Sequence, residues 1–109
     1  MKKYTVEEFR EEFADVILVG SEEDNAKYMP AIIGAAKDGS HVVYSFAKLA
    51  ACFVITDNMT YADAEEWVEF NVIRALPYYG EHAPEVMDAS FINSRNKKYT
   101  PIKIIQKED

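Results

Sequence analysis

Asp38-Gly39 stands between two short apolar runs, residues 31–36 and 41–45. Such a pair accepts the positive φ values of a tight turn, and apolar runs on both sides make it a strong short-range β-hairpin signal. A chain with that hairpin must build a sheet, and its other segments decide what covers it. Gly34, inside the first run, marks a bulge or a close packing neighbour.

The flanking pattern is helical. Thr5 followed by Glu8 is a capping box, and it opens an amphipathic helix that Gly20 is expected to stop. Val6, Phe9, Phe13, Val16 and Ile17 share one face; Glu7, Glu8, Glu11, Glu12 and Asp15 share the other. Residues 21–28 read as a polar loop with room for one helical turn, and Pro30 is expected to hold Met29 extended. Ser45 is a plausible N-cap for a helix over 46–56 with Phe46, Leu49, Ala50 and Phe53 on its apolar face. Thr60 with Asp63 caps the next helix, so the two form an αα-hairpin. A short strand follows at 85–87, residues 90–98 are turn-like, and 99–106 is β-branched. Pro101 restricts that last segment to a sheet edge or a strand start.

The fold expected is α+β: an N-terminal helix, a β-hairpin, an αα-hairpin, then one or two short strands completing a small antiparallel sheet. At 109 residues the chain is long enough for one domain with a real core. Residues 1–90 are assigned to that domain and 91–109 to a basic C-terminal extension.

Charge divides at the same place. Residues 1–90 carry 17 acidic and 7 basic side chains, whereas 91–109 carry 5 basic and 2 acidic ones. An acidic body repels phosphate and suits a basic protein surface instead. The helix-turn-helix reading of the helix pair fails on the same ground. Its second helix would carry Asp63, Glu65, Glu66 and Glu69 into the major groove. Cys52 is the only cysteine and is expected in the core. With no apolar run near 18 residues and no signal peptide, the chain reads as cytoplasmic, with no membrane contact.

Chemistry-bearing motifs are absent. There is no HxH, HExxH or CxxC for a metal, no Gly-rich phosphate loop and no nucleophile elbow. A non-enzymatic protein without cofactor or metal is therefore expected. The unusual side chains gather in residues 60–80. Read at 100° per residue, Trp67, Val68, Asn71, Val72 and Ala75 share a buried side, which places Trp67 in the core and Asn71 in the middle of an apolar face. Asn71 then either ties a backbone segment or lines a pocket. Phe70 and Ile73 fall outside that side and form a candidate partner patch. Glu65, Glu66 and Glu69 supply its acidic flank, and Arg74 suits the negative helix end. Pro77 ends the helix, Gly80 can turn left-handed, and Tyr78, Tyr79 and His82 lie at the exit, where aromatic residues suit an interface.

The run WVEFNVIRALPYYGEHAPEVM resembles a motif of small phage and integrated-element proteins from gut Firmicutes. FADVILVG, DNAKYMPAIIG and Val43-Tyr44-Ser45 extend the similarity over residues 4–88. The resemblance implies a genomic setting and carries over no catalytic residue. The relatives end soon after the strand at Pro84, so the basic segment from Phe91 is an addition in this chain. The resulting expectation is an accessory protein that binds another protein, in concrete form an anti-CRISPR-like inhibitor of a bacterial defence nuclease. The alternatives are a small-molecule binder with a pocket at Asn71, Arg74, Tyr78 and His82, and a regulatory homo-oligomer joined through Phe70 and Ile73.

Overall fold

The computed structural model describes residues 1–88 and 98–105. β1 (Lys2–Thr5), β2 (Ile32–Ala36), β3 (Val42–Ser45), β4 (Glu85–Met87) and β5 (Tyr99–Ile105) form one sheet in the order β1-β5-β2-β3-β4. The α+β class holds, but the sheet is mixed. The β1–β5 and β3–β4 pairs are parallel, and only β2 runs against its neighbours. Purely antiparallel completion of the hairpin is excluded because β3 and β4 are joined by the helix pair, a crossover that returns the chain in the same direction.

The hairpin is present, with Gly39 at φ +76° in its turn and a register shift between Ile32 and Gly34. β1 was not expected. It precedes the capping box, in which Thr5 Oγ1 accepts from the Glu8 N–H (3.2 Å) and Glu8 Oε1 from the Thr5 N–H (2.9 Å). α1 (Val6–Glu12) is far shorter than a helix running to Gly20. Beyond Phe13 the backbone groups take distant partners: Ile17 N–H donates to His82 O (3.2 Å) and Val19 N–H to the Tyr44 hydroxyl (3.0 Å). Gly20 does have a positive φ, +93°, but it turns a loop and does not end a helix. Met29 also departs from expectation, since it lies within a 3₁₀ helix, Asn25–Ala31. Met29 and Ala31 are fully buried there, and that burial outweighs the local preference of a residue before proline.

β5 is an interior strand, not an edge. Lys37 N–H bonds Lys98 O, so Ala35 and Thr100 form the next hydrogen-bonded pair, and Gly34 and Pro101 a non-bonded one. The nitrogen of Pro101 therefore faces away from β2, and the pairing with β1 starts only at Ile102. No ladder bond is lost, and this is why proline is accepted inside the sheet. The extension assigned to 91–109 thus supplies a strand that ties β1 to β2. Residues 90–97, expected to be turn-like, lie outside the described residues.

α2 (Phe46–Asp57) and α3 (Tyr61–Trp67) start at the expected caps, Ser45 and Thr60, each accepting a backbone N–H at 3.2 Å. They cover one sheet face. Tyr4, Ile32, Ala35, Val42, Tyr44, Ile102 and Ile104 of the sheet meet Phe9, Leu49, Ala50, Phe53, Ala64 and Val68 of the helices in one core. Truncating fully buried Phe9 to alanine would cost about 3–5 kcal/mol. A smaller cluster, Ile33, Ala36, Val43 and Tyr99, sits on the opposite face. Cys52 is buried, and burial pushes its thiol pKa up. No helix among the described residues is long and apolar enough to cross a membrane.

Candidate functional site

The helix that begins at Tyr61 does not keep one period. After Trp67 it widens into a π-helical turn, Val68–Val72, in which Ile73 N–H reaches Val68 O five residues back as well as Glu69 O. It then tightens into a 3₁₀ segment, Ile73–Tyr78, that contains Pro77. The wide turn takes more residues than an α-helical one, so residues four apart stay in line instead of drifting around the axis. Ala64, Val68 and Val72 are accordingly the buried row, at 0, 0 and 9% exposure.

Two expectations are overturned here. Trp67 is 44% exposed and not a core residue, although its ring still lies 6.4 Å from that of Phe53. Asn71 is exposed rather than central to an apolar face. Its Nδ2 donates to Trp67 O (3.3 Å), a bond within its own turn. Residues 17–20, Val72, Leu76, Tyr79 and Pro84 frame with it a cavity of about 340 Å³.

Phe70 and Ile73 separate. Phe70 is 47% exposed, whereas Ile73 packs against the main core, so they do not form one patch. Arg74 does more than sit at a helix end. Its guanidinium carbon lies 4.2 Å from the Phe70 ring centroid, a stacking worth about 0.5–1 kcal/mol at an exposed site. Asp63, Glu66 and Glu69 are exposed and Glu65 is half-buried. None of the four has an ion-pair partner among the described residues. One outward side of this helix therefore carries Asp63, Glu66, Trp67, Phe70 and Arg74, spaced three and four residues apart. Tyr78 and Tyr79 project at its end, before Gly80 turns at φ +79°.

The four residues expected to share a pocket do not. Asn71 and Tyr79 line the 340 Å³ cavity, while Arg74, Tyr78 and His82 lie outside it. His82 turns to the hairpin, where its Nδ1 is 2.8 Å from Ser40 O. A carbonyl only accepts, so Nδ1 carries the proton. His41 approaches the same residue from the other side: Nδ1 is 2.9 Å from Ser40 Oγ, and Nε2 is 3.3 Å from Glu85 Oε1. The contact with Glu85 lacks hydrogen-bond geometry, and that buried nitrogen has no bonded partner among the described residues. Tyr99 donates its hydroxyl to Glu85 Oε2, and burial first, then Glu85, raises the Tyr99 pKa.

Ser40, His41 and Glu85 are linked in that order through the two ring nitrogens of His41, and Ser40 N–H donates to Asp38 Oδ1 at 2.9 Å. The group clasps the hairpin turn to β4 and to the helix exit, two regions some 40 residues apart in sequence. No local pattern announces it. Among the described residues no group of three or more His, Cys, Asp or Glu side chains is placed to hold a metal.

Compared with family models, curated proteins and solved structures, the chain finds no match.

Proposed function

We propose that this protein works by binding another protein through the acidic, aromatic side of the helix that begins at Tyr61. The observation that carries this reading is the pairing of large apolar side chains with unpaired carboxylates. Trp67 and Phe70 are each nearly half exposed on a helix whose Asp63, Glu66 and Glu69 have no ion-pair partner among the described residues. Tryptophan, tyrosine and arginine are the residues that most often dominate binding energy, and all three types occur along this segment. The carboxylates favour a partner with a basic surface and speed encounter with it.

A nucleic-acid channel in a bacterial defence nuclease is such a surface, and that is the concrete form proposed. The protein would occupy the channel in place of phosphate, with no chemistry of its own. Purified chain is to be titrated into several effector nucleases, with complex formation and substrate cleavage both measured. Inhibition that weakens at high salt and in a Glu66→Lys/Glu69→Lys variant is expected. Absence of any complex, or inhibition unchanged by the charge reversal, would refute the reading.

A further inference from the structure

β2 leaves β5 before β5 ends. Their pairing runs from Ala36 opposite Tyr99 to Gly34 opposite Pro101, whereas β5 continues beside β1 as far as Ile105. The register shift between Ile32 and Gly34 falls at the same point. A cavity of about 350 Å³ opens there, lined by Ile32 and Ile33 of β2 and by Ile102 and Ile104 of β5. Pro30 and Pro101 complete its aliphatic wall, and no aromatic ring of the described residues lines it. The charged side chains in the lining are both cationic: Lys48, from the first turn of α2, and Lys103. Both are exposed, and neither has an ion-pair partner among the described residues. Lys3 stands opposite Lys103 in the β1–β5 register, one strand spacing of about 4.8 Å away, and adds a third cation just outside the lining. In a chain of net charge −7 this is a local reversal of sign.

We propose that this cavity binds a small amphiphilic anion, a straight alkyl chain of medium length that ends in a carboxylate. Aliphatic walls without a ring offer a hydrocarbon chain close packing and give a planar ligand no stacking partner. The volume lies at the lower end of the ~300–1,000 Å³ of ligand sites, which suits about eight carbons and not a long-chain lipid. Two ammonium groups at the rim, with three donors each and no carboxylate in the lining, match a negative head. The cavity shares no lining residue with the acidic side of the helix that begins at Tyr61, so the proposal stands apart from the protein-binding reading.

The probes are octanoate, hexanoate, octanol and acetate. Each is titrated into the full chain below micelle-forming concentration and followed by amide chemical shifts. Octanoate is expected to saturate, with the largest shifts at Ile33, Lys48, Ile102 and Lys103. Hexanoate should bind about tenfold more weakly for the two methylenes it lacks, and octanol roughly fivefold more weakly for the missing charge. Acetate should give no saturable shift. The double variant Lys48→Gln/Lys103→Gln, at exposed positions, should bring octanoate down to the level of octanol. Lys37→Gln, exposed and outside the cavity, should leave it unchanged. Octanoate that fails to saturate, that binds no tighter than octanol, or that shifts residues elsewhere overturns the proposal. So does octanoate binding that the double lysine variant leaves undiminished. None of these results touches the acidic-side reading, which is tested separately by nuclease inhibition.

Discussion

The Tyr44 hydroxyl, at the centre of the sheet, accepts a hydrogen bond from the Val19 N–H at 3.0 Å, and both residues are buried. This bond fastens the loop after α1 over the core, and with it one wall of the cavity beside Asn71. Tyr44→Phe would leave a buried N–H without its partner, at a cost of about 1–3 kcal/mol. The expected fall in Tm is roughly 4–8 °C per kcal/mol, measured by thermal unfolding. An unchanged Tm would mean that water replaces the hydroxyl.

Burial holds Tyr44 neutral far past the ordinary tyrosine range, and burial also raises Tyr28 and Tyr99. In the unfolded chain these groups ionise near pH 10, to order of magnitude. Above that pH the unfolded state binds fewer protons than the native state, so stability falls as pH rises; below it the contribution is constant. Exposed Lys2, Lys27 and Lys98, also raised, act in the same direction. Denaturant midpoints at pH 9 and pH 11 should therefore differ, and Tyr44→Phe should show the shallower fall. Equal slopes for the two proteins would contradict the assignment to Tyr44.

Gly20 and Gly39 both have positive φ, but their surroundings differ. An added Cβ at Gly20 would lie 3.0 Å from a ring carbon of Tyr28, whereas nothing is within 4 Å at Gly39. Alanine costs about 1–2 kcal/mol at either position from the backbone alone. At Gly20 it must also displace Tyr28, which packs on Phe53 at 4.7 Å between ring centroids. Gly20→Ala should be the more destabilising in chemical denaturation, and Gly39→Asn should be close to neutral. The reverse ranking would show that Tyr28 moves freely.

The register of β5 makes Thr100 and Pro101 unequal. Pro101→Ala should cost only about 0.4–1 kcal/mol, chiefly through a more flexible unfolded chain. Thr100→Pro removes an N–H that bonds β2 and should cost about 3 kcal/mol or more. Circular dichroism with urea titration separates the two, and similar losses would refute the register.

The candidate site was legible in part. Its residue types, its carboxylates and its exit at Pro77 and Gly80 follow from neighbours a few positions away. The outward turn of Asn71 does not, because a 100° projection assumes an α-helical period that ends at Trp67. One extra residue in a turn is enough to move Asn71 out of the buried row. The second wall of the cavity, Leu18 and Pro84, is more than 60 residues apart in sequence and invisible to any window.

The same division runs through the whole protein. The capping box at Thr5 and Glu8, the caps Ser45 and Thr60 and the turn at Asp38-Gly39 join atoms within about four residues. Such bonds form with little dependence on the rest of the chain, and the sequence by itself determined them, together with the α+β class. The length of α1, the mixed sheet, the interior place of β5, the π turn and the clasp at Ser40 were decided by tertiary structure. Each depends on groups brought together from distant positions. His82 and Tyr44 take the N–H groups of Ile17 and Val19, and Ala35 supplies the pair for Thr100. Buried backbone groups must find partners, and where the nearest partners are non-local, local preference yields to them.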